Sequence, residues 1–80
     1  MARELREFVV LGFASTHDAL AAEALLKDLG VPVVPVPAPK ELGALCGIAL
    51  RLEPADLERS RGLLSRASMN WTAEVRILDV

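Results

Sequence analysis

The sequence predicts an α+β fold in which strands and helices follow one another in the order βαββαβ. Three observations support this prediction: a continuous apolar run, short segments with alternating apolar residues, and two segments in which apolar residues recur at helical spacing. The 80 residues carry a formal net charge of −2, and 52% of them are hydrophobic. We therefore expect residues 1–80 to form a single small domain.

The first strand and helix have clear boundary signals. Residues 7–13 form a continuous run of mainly apolar residues, typical of a strand that is buried on both faces. Ser15 then offers an N-cap hydroxyl with the carboxylate of Asp18 three residues later, which predicts a helix over residues 19–29 that stops at Gly30. The predicted buried stripe of this helix comprises Ala22, Leu25, Leu26 and Leu29.

The remaining elements follow from proline positions and from alternation. Residues 31–36 are rich in valine but contain two prolines, which cannot donate to a strand ladder, so this strand should lie at a sheet edge. A loop over residues 37–45 leads to a third strand over residues 47–52. A second helix begins at Pro54 and runs to about Ala67, with Leu57, Ser60, Leu64 and Ala67 on its buried stripe. The alternation over residues 71–78 predicts a fourth strand.

This order of elements favours a ferredoxin-like sandwich, a four-stranded antiparallel sheet with both helices on one face. Right-handed crossovers place the first and third strands in the centre and the second and fourth at the edges. The prolines of the second strand agree with its edge position. Because the helices cover only one face, the apolar first strand leaves an open face that we expect to meet a partner or a second copy.

Composition narrows the functional class. The slight negative charge and the absence of a basic stripe argue against binding to nucleic acid. The apolar run near the N-terminus is too short for a signal peptide or a membrane span, so we expect no membrane association and a cytoplasmic location. No cysteine pair follows the first strand, where heavy-metal carriers of this architecture bind their ions, and we expect neither a metal nor another cofactor.

Cys46 is the only cysteine, and it stands immediately before the third strand. Alone it cannot form an internal disulfide, so it is either an inert buried thiol or a reactive one. The predicted topology places it near the N-terminus of the first helix, whose free N–H groups would lower the pKa of the thiol. The candidate anion-stabilising residues around Cys46 are Ser15, Thr16, His17, Lys40 and Gly47.

Four separate segments resemble a known family. They are residues 13–27, 30–32, 37–42 and 46–51, which include the Ser-Thr-His-x-Ala-Leu, Pro-x-Pro and Cys-Gly elements. Together, within residues 8–52, they resemble the small bacterial proteins described as selenium or sulfur carrier-like, formerly a domain of unknown function. The resemblance implies that Cys46 is the thiol that carries the chalcogen.

Two principal functions remain open at this point. The first is a cytoplasmic carrier, not a turnover enzyme, that holds sulfur or selenium on Cys46 as a persulfide or selenopersulfide and exchanges it with donor and acceptor proteins. The second is a non-catalytic regulatory or assembly module that oligomerises through the open face of the sheet. A small-ligand sensor that binds at the proline-rich loop is a third interpretation.

Overall fold

A computed structural model describes residues 4–39 and 47–79 and confirms the predicted order of elements. The strands are β1 (Arg6–Gly12), β2 (Val34–Pro37), β3 (Ile48–Leu52) and β4 (Ala73–Asp79). The helices are α1 (Thr16–Asp28) and α2 (Leu57–Arg66), and a 3₁₀ turn over Pro54–Asp56 leads directly into α2. Lys40 and Cys46 lie outside the described residues.

The four strands form one antiparallel sheet in the order β2-β3-β1-β4. The central position of β1 explains why residues 8–13 are all buried. The edge position predicted for β2 is confirmed, although the strand is shorter than expected and begins at Val34. Val31 and Val33 precede it and are buried in the core.

The main hydrophobic core lies between the helices and one face of the sheet. Val9 and Leu11 of β1 and Leu50 and Leu52 of β3 contribute the strand side of this core. The other face of the sheet carries a second apolar cluster that contains no helix residue. We call it the open face, and its members are Val10, Val36, Ala38, Ala49, Ala73, Val75 and Ile77.

Helix α1 has its predicted cap at Ser15 and its predicted stop at Gly30, but one residue of its predicted buried stripe lies at the surface. Its buried residues are Ala19, Ala22 and Leu26, whereas Leu29 is 42% exposed, so the prediction that Leu29 belongs to the buried stripe is wrong. Leu29 is the C-cap residue, beyond the last residue of the helix, and Gly30 follows it with a φ of +83°. The N–H of Val31 donates to the carbonyl oxygen of Leu26 at 2.8 Å and closes the turn.

Helix α2 buries Leu57, Ser60 and Leu64 as predicted, but its cap residue Ala67 is exposed because the helix already ends at Arg66. Two arginines of α2 bind other elements. Arg59 Nη2 donates to the carbonyl oxygen of Leu29 at 2.7 Å, and the Arg61 guanidinium pairs with carboxylates of α2 and β4. No helix within residues 4–39 and 47–79 is long and apolar enough to cross a membrane.

Candidate functional site

The carboxyl end of β1 forms the centre of the candidate site. Gly12, the last residue of β1, lies opposite Ala49 of β3 and Ala73 of β4. The residues that follow β1 and those that precede β3 and β4 therefore lie at one end of the sheet. Of the six candidate residues, this arrangement brings Ser15, Thr16, His17 and Gly47 to that end.

The N-terminus of α1 is built by Ser15. This residue is in the extended conformation, with φ −146° and ψ 159°, and its Oγ accepts a hydrogen bond from the backbone N–H of Asp18 at 3.1 Å. The backbone carbonyl oxygen of Ser15 accepts a hydrogen bond from the N–H of Ala19. The side chain and the backbone of Ser15 therefore both hold the first turn of α1. The remaining free N–H groups of the first turn give this end of α1 a partial positive charge. The exposed carboxylate of Asp18 opposes that charge in part.

The other described candidates are accessible. Thr16 and His17 are exposed on the first turn of α1. Gly47 is also exposed, and its carbonyl oxygen accepts the N–H of Ala38 at 3.2 Å, which joins the two ends of the segment between β2 and β3. Among the described residues other than its chain neighbours, none has an atom within 4 Å of a Cβ added at Gly47.

A cleft of about 480 Å³ opens beside the N-terminus of α1. Its α1 side carries His17 and Asp18, and its opposite side is the connection between α2 and β4, where Ser68 has a φ of +58°. The full lining is Phe13, Ala14, His17, Asp18, Ala21, Ser68, Met69, Asn70 and Thr72. The cleft thus combines an apolar base with polar side chains at its rim, as small-molecule sites commonly do.

The topology predicts that the turn before Asn70 and Trp71 reaches this end of the sheet, but sequence reasoning did not predict that the turn forms the second wall of a cleft. Thr72 holds that wall against the end of β1, because its backbone N–H and its Oγ1 both donate to the carbonyl oxygen of Gly12, at 2.8 and 3.1 Å. Ser68 occupies a left-handed backbone position that usually takes glycine or asparagine, so its residue type gave no signal of the turn. The one available signal was the short polar segment before Trp71.

A family model matches the chain over residues 8–76, and the family is described as putative Se/S carrier protein-like. The chain belongs to this family. No curated protein and no solved structure matches it.

The match to the Se/S carrier-like family begins inside β1 and ends inside β4, and it extends beyond the segments that first suggested the resemblance. It therefore spans both walls of the cleft and the position of Cys46 in the sequence. Within the described part of this family member, no group of three or more His, Cys, Asp or Glu side chains is placed to hold a metal ion.

Proposed function

We propose that this protein is a carrier that holds sulfur or selenium on Cys46. Membership of the Se/S carrier-like family is the observation that carries the proposal. The chain has one cysteine, and the family match spans it. A carrier requires one nucleophilic thiolate and no further catalytic group, which suits a chain with a single cysteine and a single histidine.

The proposed loading step is a thiol exchange without net oxidation. The Cys46 thiolate attacks the terminal sulfur of a donor persulfide, R–S–SH, and forms the new bond of Cys46–S–SH. The bond between the two donor sulfurs breaks, and the donor leaves as the thiolate R–S⁻. With a donor R–S–SeH the product is Cys46–S–SeH. Delivery is the same exchange with an acceptor thiolate, so the carrier needs a donor protein and an acceptor protein as partners.

The geometry at the end of the sheet supports this chemistry. The N-terminus of α1 and Gly47, the residue after Cys46, lie at the same end. Free N–H groups at a helix N-terminus stabilise a nearby anion, whether a thiolate or a persulfide. We assign this role to the first turn of α1 with Ser15 and Thr16, and we assign assistance by a hydrogen bond or positive charge to His17 and Lys40. We place the carrier in the cytoplasm, where a single thiol stays reduced.

Intact-mass measurement tests the proposal. The reduced protein is incubated with a cysteine desulfurase and either cysteine or selenocysteine, which supply the R–S–SH or R–S–SeH donor, and should gain the mass of one sulfur or one selenium atom. Cys46→Ser should gain nothing. Asn70→Ala, which alters the far wall of the cleft, is the matched control and should load like the parent chain. A parent chain that gains no mass under either condition would refute the carrier function.

The open face supports a second candidate, a non-catalytic assembly module. Val10 and Ala49 are completely buried there, although no helix of residues 4–39 and 47–79 contributes to this cluster. Val36 and Val75 are only partly buried beside them and offer apolar surface to a partner. Sedimentation over a range of concentrations, with Val36→Lys as the variant, tests this function. A strict monomer that binds no partner would exclude it.

A further inference from the structure

The two edges of the sheet differ in their capacity to accept another strand. Strand β2 has four residues, and two of them, Pro35 and Pro37, have no N–H to donate. Strand β4 has seven residues, contains neither proline nor glycine, and pairs only with β1 among the described strands. Proteins commonly protect exposed edges with short strands and prolines. This chain protects the β2 edge in that way and leaves the β4 edge able to pair.

The side chains of β4 are divided between two faces. Ala73, Val75 and Ile77 belong to the open face. Glu74 and Arg76 lie on the helix face, because they are opposite Leu11 and Val9 of the main core. A strand added at this edge would therefore meet an apolar row on one side of the sheet and two opposite charges on the other.

The sequence of β4 is complementary to itself in one antiparallel register. A two-fold axis through such a pair sets one residue opposite its own copy. With Val75 on the axis, Glu74 lies opposite Arg76 of the second copy, and Ala73 lies opposite Ile77 of the second copy. An axis at Glu74 or at Arg76 would instead set two like charges directly opposite each other, which destabilises a strand pair.

The intramolecular ion pairs of β4 fit this register. Glu74 accepts from Arg61 of α2 at 2.6 Å, and Arg76 donates to Glu7 of β1 at 2.5 Å. In the self-paired arrangement, the Glu74 of each copy gains an arginine neighbour and each Arg76 gains a carboxylate neighbour. The charges in the row Arg61, Glu74, Arg76 of the second copy and Glu7 of the second copy alternate in sign, so every directly opposite pair joins unlike charges, and like charges meet only at the longer diagonal distance of about 7 to 8 Å.

We propose that two copies of this chain pair through β4 in antiparallel orientation, with the two-fold axis at Val75. The two four-stranded sheets then join into one continuous sheet, with the helices of both copies on the same side. The apolar rows of both open faces become continuous across the new strand pair. This pairing does not depend on the carrier chemistry of Cys46, and it uses the edge of the sheet instead of the open face.

Single-cysteine variants test the register directly. In a Cys46→Ser background, Val75→Cys should form a disulfide-linked dimer under mild oxidation, because residues opposite each other in a strand pair have Cα atoms about 4.5 to 5.5 Å apart. Ala73→Cys is the control, because its two copies would lie about 13 Å apart along the strands. A mixture of the Ala73→Cys and Ile77→Cys chains should form a mixed disulfide. If the Ala73→Cys chain, oxidised by itself, formed as much disulfide-linked dimer as the Val75→Cys chain, the register would be overturned.

A charge exchange tests the pairing without crosslinking. Glu74→Arg and Arg76→Glu each set like charges opposite each other in the homodimer, so each variant alone should sediment as a monomer at concentrations where the parent chain is dimeric. Mixing the two variants makes every opposing pair attractive and should restore a dimer. Circular dichroism of each variant checks that it is folded. A parent chain that stays monomeric at millimolar concentration, or a dimer that Val36→Lys abolishes and the charge exchange leaves intact, would overturn the proposal.

Discussion

Arg61 of α2 and Glu74 of β4 are joined by a two-point contact, in which Nε donates to Oε1 at 2.8 Å and Nη2 donates to Oε2 at 2.6 Å. The indole Nε1 of Trp71 also donates to Oε1 of Glu74 at 2.8 Å. The guanidinium of Arg61, assisted by the indole, holds the pKa of the Glu74 carboxyl below its ordinary value of 4.5. This contact ties the second helix to the edge of the sheet.

Replacing Arg61 by Gln should destabilise the protein in a pH-dependent way. The pKa of Glu74 is lower in the folded than in the unfolded chain, so its ion pair stabilises the fold above about pH 4.5 and this stabilisation is lost as the pH falls through the lowered folded pKa. Urea unfolding from neutral pH to about pH 2 should show a lower midpoint for Arg61→Gln at neutral pH. The difference from the parent chain should shrink on acidification.

Arg59→Gln provides the control for this prediction. Arg59 donates to the carbonyl oxygen of Leu29, which does not titrate, so the effect of its replacement on the urea midpoint should not vary with pH. If the midpoint difference of Arg61→Gln were equally independent of pH, the ion pair with Glu74 would contribute no measurable stability.

Gly62→Ala should stabilise the protein by about 1 kcal/mol, because alanine has the higher helix propensity. Gly62 lies inside α2 and is exposed, and an added Cβ would meet nothing within 4 Å in the part of the chain that the structure describes. Gly30→Ala is the matched control and should destabilise by about 1 to 2 kcal/mol, because the φ of Gly30 is +83° while its added Cβ would make only ordinary contacts. Urea unfolding measures both, and a loss of stability in Gly62→Ala would contradict the packing of α2 described above.

Ser60→Ala should also stabilise the fold. Ser60 is completely buried on α2, and its Oγ has no hydrogen-bond partner in the described part of the chain. A buried hydroxyl without a partner costs about 1 to 3 kcal/mol, and alanine is the better helix former. Ser65→Ala changes an exposed serine of the same helix and should gain only the propensity difference. A destabilised Ser60→Ala chain would show that the hydroxyl is satisfied in solution.

The sequence predicted those features of the fold that depend on local signals. The order of strands followed from the apolar run of β1 and from the prolines of β2, and the N-cap followed from the hydroxyl of Ser15. Contacts between distant residues left no such signal. The Arg61–Glu74 contact depends on how α2 lies over the sheet, and the ion pair of Arg51 with Asp79 at 2.8 Å crosses β1 between the two strands that carry it.

For the candidate site, the sequence likewise predicted the location but not the contacts between distant residues. Topology alone indicated that Ser15, His17 and Gly47 meet at one end of the sheet. The same topology brings the turn before Trp71 to this end, but the shape of that cleft wall was not predictable, because it depends on the left-handed backbone of Ser68 and on the hydrogen bonds from Thr72 to Gly12. Cys46 and Lys40 lie outside the described residues, and their roles stay predictions.

Two replacements of Ser15 separate its structural role from its proposed chemical role. Ser15→Ala removes the acceptor of the Asp18 N–H and should cost about 1 kcal/mol in urea unfolding, whereas Ser15→Asp keeps an N-cap acceptor and should retain most of the stability. Thr16→Ala is the control, since the Thr16 side chain makes no hydrogen bond in the described part of the chain.

Alkylation of Cys46 as a function of pH then gives the chemical readout. Under the proposed function, the carboxylate in Ser15→Asp lies near the thiol and raises its pKa, so this variant should react more slowly than the parent chain below about pH 8.5, the ordinary value for cysteine. Ser15→Ala removes a cap without adding a charge and should react faster than Ser15→Asp. Equal rates in these two variants would show that the N-terminus of α1 does not act on Cys46, whatever their stabilities.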